Sequence, residues 1–344
     1  MSATDQRTVT RQQILQRIHS DTKFVLATHE NLDGDALGSL VAMQGLLTMM
    51  GKDSQMFIAE SEFPLPHEYR LFALDGLIKT APEDVNERTV VFLDCGNIDR
   101  NSAQVLRSGA HLLNIDHHHD NTLFGTVNHV VAAASCTAEI VWELMGELSL
   151  RPTAQIAKAL YVGLITDTGR FMYENTGPRA HQMAAELITA GVDVQAIYRE
   201  LYEEMPFAKI ALLALALSRV ERLNNGELTM ASLSAEDFQR VEAQDSYSEG
   251  IIDHLRAIQG TKVAALVREL TAPERAGQRK VSLRATDNDV DVSAIARAQG
   301  GGGHRRAAGF STRLALPELT AFLQREIDTQ LRPAANDRVA PTLA

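Results

Sequence analysis

The sequence predicts an α/β protein of two domains. These are an N-terminal domain with a mostly parallel sheet flanked by helices, a helical linker, and a smaller C-terminal α/β domain. Three observations carry this. At 344 residues the chain is long enough for two cores. Its first half alternates continuous apolar runs with helical periodicity, the pattern of parallel strands buried on both faces. A second strand–helix alternation begins near residue 225, after a stretch rich in alanine and leucine.

Taken in order, "KFVLATH" (23–29), "SQMFIAE" (54–60), "TVVFLDCG" (89–96) and "HLLNIDHH" (111–118) read as strands. A helix over 35–51 is apolar at Leu37, Leu40, Val41, Leu47 and Met50, with Gly51 placed to end it. Helices follow from Ser135 or Thr137 to about 150, over 153–165, and from Gly177-Pro178, with proline near the first helical position. The stretch 193–221 reads as helical and contains the linker. In the second unit, strands are expected at 225–233, 262–268 and 279–284, with helices near 291–298 and 316–331. The domains are accordingly placed at 14–195 and 222–332, with the linker at 196–221 and a disordered tail at 333–344.

Composition narrows the function. The net charge is −11, and no Lys/Arg run exceeds Arg305-Arg306, so no basic footprint for long nucleic acid is visible. A nucleic-acid substrate would therefore be small, and no long duplex is expected. No apolar run reaches the length of a membrane span, and the polar start "MSATDQRTVTRQQ" lacks a secretory segment. Two cysteines, Cys95 and Cys136, make no disulfide framework. These features point to the cytoplasm.

The chemistry lies where strands end. His29, Asp94 and Asp116 each close an expected strand, and in open α/β sheets ligands gather at the carboxyl ends of strands. "ATHENLDGDALGS" adds Asp33 and Asp35, which could alternatively be turn and cap residues. "NIDHHHD" adds His117 and His118, and "GLITDTGRF" adds Asp167. So many carboxylates on one edge could not all ionise without cations. A carboxylate–imidazole set without cysteine suits manganese, with magnesium or cobalt as substitutes, better than structural zinc. Two such ions clamp a phosphate for in-line attack, so the reaction class is metal-assisted phosphoester hydrolysis. "RAQGGGGHRRAAGF" (297–310) offers glycine backbone that an anion could approach, as a nest, followed by His304. Arg284 could serve the same patch. The spacing is neither a P-loop nor a dinucleotide fingerprint.

In order, "THENLDGDALGS", "FLDCGN", "IDHHHDN" and "GLITDTGRF", with "GGGGHRRAAGF" near the end, resemble the motifs of the DHH/DHHA1 phosphoesterases over about residues 14–330. The N-terminal domain is then a DHH domain and the C-terminal one a DHHA1 domain. The closest likeness is to the bacterial oligoribonuclease (nanoRNase) and 3′-phosphoadenosine-5′-phosphate phosphatase branch. That resemblance implies two Mn2+ ions, one on His29, Asp33 and Asp94, the other on Asp35, Asp94, His117 and Asp167, with Asp94 bridging. It implies catalytic roles for His118, near the scissile phosphate, and for Asp116, which would orient the histidines. It further implies that Gly301, Gly302, Gly303 and His304, with Arg284, hold the substrate's nucleotide or terminal phosphate. His119, Arg305 and Arg306 receive no role. Cys136 replaces a serine usual in the family, and sensitivity of the activity to oxidation is an expectation attached to it.

The resulting expectation is a manganese-dependent phosphodiesterase that degrades very short RNA to mononucleotides and also dephosphorylates 3′-phosphoadenosine-5′-phosphate. A homodimer is expected only because relatives often form one. The alternatives are a cyclic-dinucleotide phosphodiesterase and a non-catalytic nucleotide- or RNA-binding regulator. The second has no chemical need for the whole ligand set.

Overall fold

The computed structural model describes residues 3–72, 74–101 and 103–332. The expected tail at 333–344 lies outside them. The chain divides into two units, one ending at Glu204 and one beginning at Met205.

The N-terminal unit opens with helix α1 (Ala3–Ser20), which the sequence did not announce. It is polar along most of its length and is anchored by Ile14 and Ile18, one turn apart and fully buried. The sheet follows: β1 (Lys23–Ala27), β2 (Asp53–Met56), β3 (Thr89–Leu93), β4 (His111–Asp116) and β5 (Val127–Val130). All neighbours are parallel in the order β2-β1-β3-β4-β5. The edge strand β5, "VNHV", is too short and polar to signal itself by pattern. Helices α2 (Gly34–Met49), α3 (Thr137–Glu147), α4 (Ala154–Asp167), α5 (Pro178–Thr189) and α6 (Val194–Tyr198) share one apolar core with one face of the sheet. The other face, with Val25, Ala27, Val90 and Phe92, is closed by short turns around Val85 and Leu106.

Residues 196–221, expected as a linker, contribute to both units. Ile197 and Leu201 belong to the N-terminal core. Helix α7 (Phe207–Ser218) buries Leu212 and Ala216 in a cluster of the C-terminal unit. Its alanines and leucines are therefore core residues on one side, which composition alone could not separate from a connector.

The C-terminal unit contains β6 (Glu221–Leu223), β7 (Leu228–Leu233), α8 (Ala235–Arg240), α9 (Ile251–Arg256), β8 (Val263–Glu269), β9 (Arg279–Ala285), α10 (Val292–Arg297), β10 (Gly302–His304), β11 (Ala307–Thr312) and α11 (Leu316–Leu331). Its sheet has the order β10-β11-β9-β8-β7-β6 and is antiparallel except between β7 and β8. Among the described residues no helix is long and apolar enough to cross a membrane.

Candidate metal-dependent active site

Parallel register aligns the ends of β1, β3 and β4, since Ala27 pairs with Phe92 and Leu93 with Ile115. Just beyond those pairs come Thr28-His29, Asp94 and Asp116, so His29, Asp94 and Asp116 meet at one sheet edge. The turn after β1 is pinned twice. Asn101 Nδ2 donates to the Thr28 carbonyl at 2.7 Å, and the Glu30 N–H donates to the Arg100 carbonyl at 2.7 Å. Asp94 sits in the left-handed region at φ 55°, tied to β4 by its N–H bond to the Ile115 carbonyl. Aspartate tolerates that region better than most residues, and such strain is common where a side chain is re-aimed for function.

Helices deliver the rest. Asp33 caps α2, its Oδ1 accepting from Ala36 N at 2.9 Å, while its Oδ2 faces His29 Nε2 at 3.7 Å. Asp35, in the first turn of α2, is nearly fully buried and meets the start of α3. Its Oδ2 accepts from Thr137 N (2.7 Å), and its Oδ1 from Ala138 N (2.9 Å) and Ser39 Oγ (3.2 Å). Asp167 ends α4. Close packing of α2 on α4 brings these ligands together: a Cβ on Gly38 would lie 2.5 Å from the Ala159 carbonyl. One on Gly163 would lie 2.9 Å from Asp35 Oδ1. Glycine at both positions is what allows the approach.

Asp94 is the hub. Its Oδ2 lies 3.4 Å from His29 Nε2. Its Oδ1 lies 3.5 Å from His117 Nε2 and accepts from Thr137 Oγ1 at 3.1 Å. His117 Nε2 is also 3.8 Å from Asp167 Oδ2. Three groups of donor atoms gather closely enough to hold a cation: His29–Asp33–Asp94, Asp94–His117–His118 and Asp35–His117–Asp167. His29 Nδ1 donates to the Glu30 carbonyl at 2.7 Å, so Nε2 turns toward Asp33 and Asp94. In the neutral ring these are lone pairs facing lone pairs, an arrangement that needs a proton or a metal cation between them. His118 differs. Its Nδ1 donates to Asp116 Oδ1 at 2.7 Å, which fixes the ring's orientation and tautomer.

The electrostatics describe the same need. Burial, with Asp94 and Asp167 alongside, pushes the Asp35 carboxyl well above the usual range against the pull of His117. Burial likewise raises Asp167 to about 6, opposed by His117 and reinforced by Asp94. Burial disfavours a charged His117, yet Asp167, Asp94, Asp35 and Asp116 together raise it to about 9. Burial also opposes ionisation of Asp94, but His29, His118 and His117 outweigh it and hold the carboxyl below its usual range. An imidazolium thus does part of what a divalent ion would do. Oxygen and imidazole donors, crowded carboxylates and no exposed thiol fit Mn2+, Mg2+ or Co2+.

Several residues of the site escaped sequence reasoning. Thr137 holds Asp35 through its N–H and Asp94 through its hydroxyl. Asn175 Nδ2 donates to Asp167 Oδ2 (3.1 Å) and to the Ser135 carbonyl (2.7 Å). Asn121 Nδ2 donates to Asp116 Oδ2 at 2.6 Å. Asn121 closes the motif "IDHHHDN" and Asn175 follows "GLITDTGRF" by four residues, and only that proximity could have flagged them. Cys136 is fully buried, and burial keeps its thiol protonated far above its ordinary range. The expected oxidation sensitivity is therefore corrected, because oxidation needs an accessible thiolate. His119 is exposed beside the cluster.

The glycine run belongs to the C-terminal unit, and its reading as an anion nest is corrected too. The N–H groups of Gly300 and Gly301 are bonded to the carbonyls of Arg297 and Ala296 at the end of α10. Gly302–His304 is a strand paired with β11. A Cβ on Gly301 would meet the Gly309 carbonyl at 2.2 Å. Gly303 has φ 134° and would meet the Ala307 carbonyl at 2.5 Å. These glycines close a tight hairpin. Gly302 alone has open space where a Cβ would stand and no left-handed φ. Arg284 lies on the neighbouring β9, its position paired with Ala307.

Residues 23–164 match the DHH family, N-terminal domain, and residues 238–329 match the DHHA1 domain. The bifunctional oligoribonuclease and PAP phosphatase NrnA of Thermus thermophilus is 32% identical, over 83% of this chain and 82% of its own length. The chain belongs to the DHH–DHHA1 phosphoesterase family. It is a hydrolase. The Bacillus subtilis member of the same name is 25% identical over 84% of this chain and 88% of its length. Among solved structures, an exopolyphosphatase-related protein from Bacteroides fragilis shares the fold with a TM-score of 0.84. It is 21% identical and covers 94% of this chain and 97% of that one.

Proposed function

We propose that this family member hydrolyses very short oligoribonucleotides to mononucleotides and removes the 3′-phosphate from 3′-phosphoadenosine-5′-phosphate, using two Mn2+ ions that Mg2+ or Co2+ can replace. The observation that carries the reading is the meeting of five buried or half-buried carboxylates and imidazoles around Asp94 with more acceptors than protons to satisfy them. The names of the relatives support the choice of substrate.

In this reading His29, Asp33 and Asp94 hold one ion, and Asp35, Asp94, His117 and Asp167 hold the other. When bound, the pair neutralises the carboxylates and polarises a phosphate for in-line displacement. His118, fixed by Asp116, presents Nε2 to the scissile phosphate as a hydrogen-bond or proton donor. The engagement of its Nδ1 by Asp116 favours this role over metal ligation. Arg284, Gly302 and His304 recognise the nucleotide, with Gly302 the position where ligand backbone or ring can come closest, while Gly301 and Gly303 serve by letting β10 lie against β11. The two buried free cysteines suit a reducing cytoplasm.

Product analysis tests the proposal. A labelled RNA dinucleotide, a longer oligomer and 3′-phosphoadenosine-5′-phosphate are offered in parallel with manganese, with a chelator control. Chelator-sensitive loss of the dinucleotide and the bisphosphate, with the longer RNA spared, is the expected result. Manganese binding without turnover of any substrate would overturn the enzymatic reading in favour of a binding protein.

A further inference from the structure

Residues paired directly across a sheet lie on the same face, so the register of the C-terminal sheet sorts its side chains. One face is apolar throughout, with Val263, Ala265, Val281, Leu283, Ala308 and Phe310 in one cluster with α10 and α11. The opposite face is apolar only on β7 and β8, where Ala231, Leu233, Ala264 and Leu266 cluster with α7, α8 and α9. Beyond β8 the character of that face changes. No described residue of β9, β10 or β11 joins that cluster. On β9 the face carries Lys280, Ser282 and Arg284, paired with Ser311, Gly309 and Ala307 of β11. Gly302 of β10 extends the middle row through its pairing with Gly309. All seven positions are half-buried or exposed.

Three rows therefore cross this polar part of the sheet, which α9 approaches at β9. The middle one, Ser282–Gly309–Gly302, is almost bare backbone, on which a flat ring or a sugar can lie. Arg284 marks the row on one side and Lys280 with Ser311 the row on the other. Arg284 and Lys280 are four positions apart, about 14 Å along the strand, and both long side chains can lean inward. A nucleoside bearing phosphate on each side fits between them. Lys280 and Ser311 are directly paired, so their side chains start about 5 Å apart and can grip one phosphate with an ammonium and a hydroxyl. The row continues to Arg268 on β8, which is buried and held by Asp245 at 3.0 Å. That arginine is neutralised by its carboxylate partner, so Lys280 is the cation of this row.

We propose that Lys280 and Ser311 form a second phosphate-binding position on this sheet, distinct from the Arg284 row, and that it favours substrates whose nucleoside is flanked by phosphates on both sides. The inference rests on the short-oligonucleotide reading and adds to it a preference for phosphate number that the metal cluster does not set.

The test compares the full-length protein with its Lys280→Gln and Ser311→Ala variants. Substrates are RNA dinucleotides and tetranucleotides with and without a 5′-phosphate, and bis(p-nitrophenyl) phosphate. Lys280→Gln should raise KM for the tetranucleotide about tenfold, as loss of a charged hydrogen bond does. It should leave kcat and the chromogenic substrate unchanged, and lower the salt slope of log KM by about 0.7, the signature of one lost single-strand phosphate contact. Ser311→Ala should act in the same direction, more weakly. An unchanged length preference and salt slope in Lys280→Gln would overturn the inference and leave the proposed function standing. If the wild type hydrolyses none of the RNAs, the functional reading fails. Equilibrium binding of the same oligomers, wild type against Lys280→Gln, then decides the phosphate position by the same slope.

Discussion

Replacing Thr137 with valine isolates one bond of the proposed metal site. The swap keeps the branched shape and the backbone N–H that donates to Asp35 at 2.7 Å. It removes only the hydroxyl that donates to Asp94 Oδ1 at 3.1 Å. A hydrogen bond to a charged group contributes about 1.5–3 kcal/mol. At about 1.4 kcal/mol per tenfold, this corresponds to roughly 10- to 100-fold in an equilibrium constant. The same range is lost when groups that orient metal ligands are removed, about 10–100-fold. Thr137→Val should therefore weaken Mn2+ binding by at least about tenfold in a calorimetric titration, with activity recovered at high metal. Thr137→Ser, which keeps the hydroxyl, should restore most of the affinity. A valine variant that binds Mn2+ within about twofold of the wild type would refute the idea that Thr137 orients Asp94.

Further outcomes follow from the same geometry. Asp94→Ala should abolish turnover, because the proposed ions share that ligand; substantial residual activity would remove its bridging role. Gly301→Ala should lower thermal stability by about 1–3 kcal/mol through overpacking against the Gly309 carbonyl. Gly302→Ala should unfold at the wild-type temperature yet raise KM for nucleotides, and a wild-type KM there would count against substrate approach at Gly302. Divalent-ion affinity should rise with pH, because His117, held at about 9, and Asp167, at about 6, must shed protons to ligate. Calorimetry at pH 7 in buffers of different ionisation enthalpy should detect about one proton released, and none would contradict the His117 assignment. Both groups bind protons more tightly folded than unfolded. The metal-free protein should therefore lose stability as pH rises, through Asp167 between 3.8 and about 6 and through His117 between 6.5 and about 9. Unfolding midpoints measured with chelator across that range check the sign.

Much of this molecule was legible in the sequence. Strands β1, β3 and β4 announce themselves because parallel strands buried on both faces are written as unbroken apolar runs. The polar residues that end those runs stand out for the same reason, so His29, Asp94 and Asp116 could be picked by position alone. Asp33 and Asp35 were visible but ambiguous, since a cap and a ligand look alike until the opposing element is known. In the structure Asp33 caps α2 while turning its other oxygen to His29, and Asp35 accepts from the start of a different helix.

What pattern could not reach was whatever depends on partners distant in sequence. Thr137 and Asn175 look like ordinary helix-start and loop residues, and only the packing of α3 and α4 around Asp94 and Asp167 gives them ligands to hold. The four glycines of 300–303 are indistinguishable as text, yet β11 requires the absence of a side chain at 301 and 303, while 302 faces open space. By itself the sequence determined the strongly periodic elements, their order and the residue types gathered at their ends, because local periodicity and local chemistry are written along the chain; the polar α1 and the short β5 carry neither signal. Tertiary structure alone decided which of those side chains meet, how close α2 and α4 come, and which face of the second sheet is apolar across its width, because those follow from packing across long sequence separations.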